Sequence, residues 1–326
     1  MLERYSVRTD LALEEKERFD SDNVEVQGVI LEEEYDEEKE IRTTCVTIET
    51  ENGAKSMGKP VGTYLTLEIP DLAVPDEDYH QDISKLLADN MLEMIKKQGF
   101  SKQEELSVLI VGLGNRQVTP DALGPFVVDN LYVNRHIVKE YGKYAMGMKR
   151  IDTVSAIVPG VMGQTGMETV EIIRGVVQET KPNLIVVIDA LAARNSKRLN
   201  RTIQIADTGI NPGSGVGNHR NAITKDTIGV PVIAIGIPTV VDAATIVNDT
   251  MENLINALES SKSLKGVGDV LRSYNPAEKY ELIKELIAPH LNGMFVTPKD
   301  VDEVIKQISY TISEALNMVF TNRTIS

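Results

Sequence analysis

The sequence predicts an α/β fold: a mainly parallel central sheet with helices on both faces, plus an N-terminal β-rich extension. Three observations carry this. Short apolar runs recur after residue 100 and alternate with amphipathic helical stretches, the pattern of repeated βα units. Residues 24–69 are acidic, threonine-rich and locally alternating, as half-buried strands are. Between the two regions the period changes at Asp82, where Ile83, Leu86, Leu87, Met91, Met94 and Ile95 form a helical stripe closed by Gly99.

In the extension, Leu65, Leu67 and Ile69 share one strand face, and polar hairpin connections join the strands. Residues 53–59 fall in one such loop. They match Gly-x-x-x-x-Gly-Lys, but Pro60 stands where a phosphate-binding loop needs the magnesium-binding Ser or Thr. The core strands are placed at 107–111, 153–158, 184–188, 203–206 and 230–236. Thr165 and Glu168 read as a capping-box pair ahead of a helix that carries Val170, Ile173, Val176 and Val177 on one side. Further helices are expected from Asp242 and over 300–318. Residues 261–278, with Gly266, Gly268 and Pro276, read as a mobile connection.

Bulk properties narrow the partners. A formal net charge of −15 with no Lys/Arg-rich block excludes nucleic acid as a direct ligand. No apolar run approaches the roughly 20 residues needed to span a membrane, and the N-terminus lacks the basic and apolar regions of a signal peptide. The single cysteine, Cys45, allows no internal disulfide framework and fits a reducing cytoplasm. In its threonine-rich strand it reads as a packing residue.

Two carboxylates stand out. Val111-Gly112-Leu113-Gly114-Asn115 takes a strand into a Gly-x-Gly turn, but the third glycine of a dinucleotide fingerprint is replaced by Gln117. Asp121 follows this turn and has two readings, a helix cap or a catalytic group. The run 184–188 is an apolar strand ending in Asp189, at the carboxyl edge where open α/β sheets bind ligands; its other reading is a cap or turn aspartate. Two carboxylates held close cannot both ionise easily, so one serves as acid while the other activates water. Residues 213–217, followed by Asn218, His219 and Arg220, form a second glycine-rich loop, either a backbone cradle or a flexible link. His80, His136, His219 and His290 are scattered and Gly-x-Ser-x-Gly is missing, so neither a metal, a cofactor nor a serine nucleophile is expected. A nucleoside- or nucleotide-processing α/β enzyme is the main alternative, and a non-enzymatic assembly or chaperone-like protein, with both aspartates as caps, is the second.

Three long motifs together carry a resemblance: Tyr5-Ser6-Val7-Arg8-Thr9-Asp10-Leu11-Ala12; the glycine turn with Val118-Thr119-Pro120-Asp121-Ala122-Leu123-Gly124-Pro125; and Ile188-Asp189-Ala190-Leu191-Ala192. Over essentially its whole length the chain resembles the germination proteases of endospore-forming bacteria. The resemblance implies an endopeptidase that degrades small acid-soluble spore proteins in the spore core. It also implies synthesis as a zymogen in the forespore, autocatalytic loss of a short propeptide, a homotetramer, no metal, and a fold similar to hydrogenase maturation proteases. It puts the two proposed catalytic acids on Asp121 and Asp189. Residues 1–10 become the propeptide and 11–326 a single peptidase domain, with 11–80 its β-rich part and 81–326 its α/β core.

Substrates of that family are cut after the first glutamate of a Thr-Glu-(Phe or Ile)-Ala-Ser-Glu type sequence. Thr9-Asp10-Leu11-Ala12-Leu13-Glu14 has the same order of hydroxyl, acid, apolar, alanine, variable and acid. The Asp10–Leu11 bond is therefore the expected self-cleavage site. An extended segment over 9–14 would enter the cleft, with Leu11 in a pocket and its acids held by backbone or basic donors, with Arg194, Arg198 and His219 as candidates. The other reading of residues 11–19 is an exposed amphipathic start to a helix.

Overall fold

The computed structural model describes residues 10–21, 26–74, 76–101, 105–147, 150–213, 220–260 and 293–325. The first element among the described residues is helix α1 (Ala12–Ser21), followed by strands β1 (Val29–Asp36) and β2 (Ile41–Ile48), helix α2 (Glu51–Met57) and strand β3 (Gly62–Glu68). Next come α3 (Glu77–Lys97), β4 (Ser107–Gly112), α4 (Leu123–Asp129), α5 (Arg135–Tyr141), β5 (Thr153–Ile157), α6 (Met162–Thr165) and α7 (Thr169–Thr180). Then follow β6 (Leu184–Ala193), β7 (Thr202–Ala206), α8 (Lys225–Ile228), β8 (Val232–Asp242) and α9 (Ala243–Ser260), and, after residue 292, β9 (Phe295–Val296) and α10 (Val301–Ile325).

The nine strands among the described residues join one mixed sheet in the order β1-β2-β3-β7-β8-β6-β4-β5, with β9 paired to β8. Strands β5, β4, β6 and β8 form its parallel part. The β-rich extension continues the same sheet because β7 runs antiparallel to both β3 and β8. The apolar run at 203–206 thus forms a strand as expected but faces the other way, a direction its residues do not encode.

Side chains alternate across the sheet with period two. Val108, Ile110, Leu184, Val186 and Ile188 pack with α3, α4 and α10 on one face. Leu109, Val111, Ile185 and Val187 pack with Ile173 of α7 on the other. Under the extension, Val46, Ile48, Met57, Tyr64 and Ala206 make a smaller cluster against Ala12 of α1.

Local chemistry explains the helices and corrects two expectations. Residues 53–59 are no hairpin loop. Thr50 caps α2 by accepting the Gly53 N–H, and Met57 is buried, so most of that stretch winds into a helix. The capping box of α7 is formed by Glu168 and Glu171, while Thr165 belongs to the separate short α6. In α3, Asp76 accepts the Tyr79 N–H, acids fill the first turn and Lys96 and Lys97 the last, matching the helix dipole. The expected connection at 261–278 lies outside the described residues, as do Ser214 to His219 and His290.

Candidate active site

Strand β4 runs into Gly112-Leu113-Gly114, and the Leu113 N–H continues the sheet pairing to the Ile188 carbonyl at 2.8 Å. The turn must be glycine-rich for steric reasons. A Cβ on Gly124 would lie 2.4 Å from the Leu113 carbonyl oxygen, and one on Gly114, at φ +106°, 2.0 Å from that of Asp121. The turn therefore closes on Asp121, whose Oδ2 accepts the Asn115 N–H at 2.8 Å. No side chain caps α4, so the Asp121 carboxylate organises the glycine turn and not the helix.

Asp189 is a strand residue, since β6 does not end at it. The strand continues to Ala193, paired to β8 across a register shift between Leu191 and Ala192. Asp189 is 5% exposed, and its Oδ1 accepts the Ala190 N–H at 3.0 Å. Burial holds its carboxyl well above the usual aspartate range, and the charges of Asp121 and Asp10 push the same way against the Ala190 N–H and Arg220. Asp121 is raised too, by burial, and is opposed by the Asn115 N–H and Arg220. Both acids line one cavity of 540 Å³ with Asp10, Arg220, Thr239 and Phe295. The Thr239 hydroxyl donates to the Pro120 carbonyl at 2.7 Å, tying β8 to the turn that carries Asp121.

Asp10 lies against the extended end of β6. Its N–H reaches the Ala192 carbonyl at 3.4 Å, and its Oδ2 accepts the Ala192 N–H at 3.0 Å. Its carbonyl oxygen accepts from Lys59 Nζ at 2.9 Å and Gln204 Nε2 at 3.2 Å. Asp10 also lines a second cavity of 60 Å³ with Lys59, Tyr64, Leu191, Gln204 and Gly236. Burial lowers the Lys59 pKa, and the nearby acids Asp10, Glu15 and Glu14 oppose that fall.

The segment is not extended through Glu14, as the sequence suggested. It turns into α1 at Ala12, whose N–H is accepted by Gln204 Oε1 at 2.7 Å. Nor is it an exposed helix start, because Leu11 and Ala12 are 0% exposed and Glu14 is 3% exposed. The Glu14 carboxylate accepts the backbone N–H groups of Arg194 at 2.9 Å and Asn195 at 3.0 Å. The Arg198 guanidinium lies 3.4 Å from Glu14 and hydrogen-bonds Glu17 and Glu68. Of the three expected donors, Arg198 acts through its side chain and Arg194 through its backbone; His219 lies outside the described residues.

Lys59, Gln204 and the Ala192 amide were missed by sequence reasoning. Only Lys59 gave a signal, as the last residue of the incomplete phosphate-loop pattern. Among the described residues no group of three or more His, Cys, Asp or Glu side chains is placed to hold a metal ion.

A solved hydrogenase maturation protease, HycI of Thermococcus kodakarensis, aligns at 18% identity over 46% of this chain and 80% of its own, with a TM-score of 0.28. Much greater similarity is found among sequences. A germination protease of Caldanaerobacter subterraneus subsp. tengcongensis is 49% identical over 313 residues, covering 96% of this chain and 93% of that protein. One from Clostridium tetani is 45% identical over 315 residues, covering 96% and 95%. The germination protease family model matches residues 7–277, and with these relatives it shows that the chain belongs to the germination protease family.

Proposed function

We propose that this protease is a self-processing zymogen whose Asp121 and Asp189 hydrolyse peptide bonds, first its own Asp10–Leu11 bond and then those of small acid-soluble spore proteins in the spore core. The observation that carries the reading is the convergence of Asp10, Asp121 and Asp189 on one cavity. A bond destined for cleavage has to lie beside the groups that cleave it.

The two environments divide the labour. Asp189, the more strongly raised, holds a proton and is the acid; Asp121, bonded to the Asn115 N–H, is the carboxylate that accepts a proton from water. Water adds to the Asp10 carbonyl carbon as Asp121 takes its proton. Collapse of the tetrahedral intermediate breaks the C–N bond, and Asp189 protonates the leaving Leu11 nitrogen. In this reading residues 1–10 are the propeptide and 11–326 one peptidase domain, which the single continuous sheet supports. A homotetramer belongs to the same reading.

Incubating the matured chain with a purified small acid-soluble spore protein tests the substrate assignment. Clean cleavage at one or a few sites is expected. An intact substrate under conditions where the chain has processed itself would overturn it.

A further inference from the structure

We propose that Lys59 and Gln204 form the oxyanion site for self-cleavage of the Asp10–Leu11 bond, donating to the Asp10 carbonyl oxygen where negative charge develops in the transition state. This rests on the reading of Asp10–Leu11 as the cut bond.

Two donors already hold that oxygen, Lys59 Nζ at 2.9 Å and Gln204 Nε2 at 3.2 Å. They approach from the 60 Å³ cavity, while Asp121 and Asp189 line the 540 Å³ cavity, and Asp10 borders both. Acid and base thus stand in one cavity and the carbonyl donors in the other. An oxyanion site needs donors fixed before reaction in a water-poor setting, where they act without reorganisation.

Both donors are fixed. Gln204 belongs to β7, in register with Thr66 of β3 and Gly236 of β8, and its Oε1 accepts the Ala12 N–H, which orients the amide so that Nε2 points at Asp10. Lys59 follows α2, and its own N–H is accepted by the Ala54 carbonyl. When water adds to the Asp10 carbonyl carbon, the C=O π pair moves onto oxygen between the ammonium and the amide. When the C–N bond breaks, that pair re-forms the carbonyl of the new α-carboxyl group, and the nitrogen leaves with the proton from Asp189. Lys59 gives up no proton over the cycle.

The test uses the full-length purified chain, following loss of residues 1–10 by intact mass for wild type, Lys59→Met, Lys59→Arg and Asp189→Asn. Lys59→Met is expected to slow self-cleavage by about 100- to 1,000-fold, the effect of losing one oxyanion donor, and Lys59→Arg to recover part of the rate. Hydrogen exchange at Ala12 and Ala192 reports whether the segment stays docked. Slow cleavage with unchanged protection supports the oxyanion role, whereas slow cleavage with lost protection makes Lys59 an anchor and overturns it. Wild-type maturation in Lys59→Met beside an inert Asp189→Asn also overturns the role while leaving the aspartate mechanism standing. Slow maturation of docked Lys59→Met beside a normal Asp189→Asn upholds the oxyanion site and removes Asp189 instead.

Discussion

Asp10 and Ala192 are joined twice, through the Asp10 N–H to the Ala192 carbonyl and through the Ala192 N–H to Asp10 Oδ2. A residue of the N-terminal segment is thereby held against the end of β6 three residues beyond Asp189. The acid side chain at position 10 is read by a backbone amide, so its charge matters. Changing Asp10 to Lys removes the acceptor and sets a second cation near Lys59. Maturation should slow by roughly 10- to 100-fold, the worth of one charge-assisted hydrogen bond. Asp10→Glu keeps the carboxylate and should mature at least as fast as wild type. Intact-mass time courses check both.

Arg198 anchors the other end of the segment. It is buried, and burial alone would lower its pKa, but the Glu17 hydrogen bond and the charges of Glu17, Glu14 and Glu68 raise it instead. Arg198→Met removes the guanidinium from beside the buried Glu14 carboxylate and should cost about 3 kcal/mol. Urea unfolding measures the loss, and a change below about 1 kcal/mol would show that the amides of Arg194 and Asn195 suffice.

The raised Asp189 pKa makes a signed prediction. A carboxyl whose pKa is higher in the folded than in the unfolded chain gives a contribution to stability that is complete below the ordinary aspartate value of 3.8 and is lost as pH rises through the folded value. Asp189→Asn should therefore raise the melting temperature at neutral pH and raise it less as pH falls towards 3.8. A mutant less stable than wild type at neutral pH would show the ionised carboxylate to be a net stabiliser.

The glycine contact behind Asp121 is equally exposed to test. A Cβ on Gly124 would press on the Leu113 carbonyl oxygen at 2.4 Å, and one on Gly112 would meet the Gly124 oxygen at 2.3 Å. Gly124→Ala has to push α4 off β4. The expected cost is about 1–3 kcal/mol together with a fall in peptidase rate, because Asp121 sits in the linking turn. Stability and rate should fall together, and full activity in this variant would show that the turn is looser than these contacts require.

What the sequence disclosed and what it hid divide along physical lines. The parallel strands were legible because 108–111 and 184–188 are unbroken apolar runs, which strands buried on both faces require. The extension of β6 over Ala190-Leu191-Ala192-Ala193 was not, because alanine is a poor strand former and the contacts that hold it there, to β8 and to Asp10, come from distant parts of the chain. The direction of β7 is set by its neighbours and leaves no mark in the sequence. Asp10 and Glu14 stood out as acids in a substrate-like order. Their partners at Ala192, Arg194 and Asn195 are backbone amides, which no side-chain pattern announces. Lys59 was visible, but Gly53 and Gly58 beside it look like turn residues, and only the Thr50 cap and the buried Met57 show that a helix delivers it.

Self-cleavage of the Asp10–Leu11 bond by Asp121 and Asp189 is the step on which the proposed function turns. N-terminal sequencing of wild type, Asp121→Asn and Asp189→Asn chains after purification and incubation tests it most directly. Wild type should begin at Leu11, while each asparagine variant, folded but at least ~100-fold slower for want of its acid or base, should keep its original N-terminus. A wild-type start well beyond Glu14, or normal processing in an Asp189→Asn chain free of active enzyme, would contradict it.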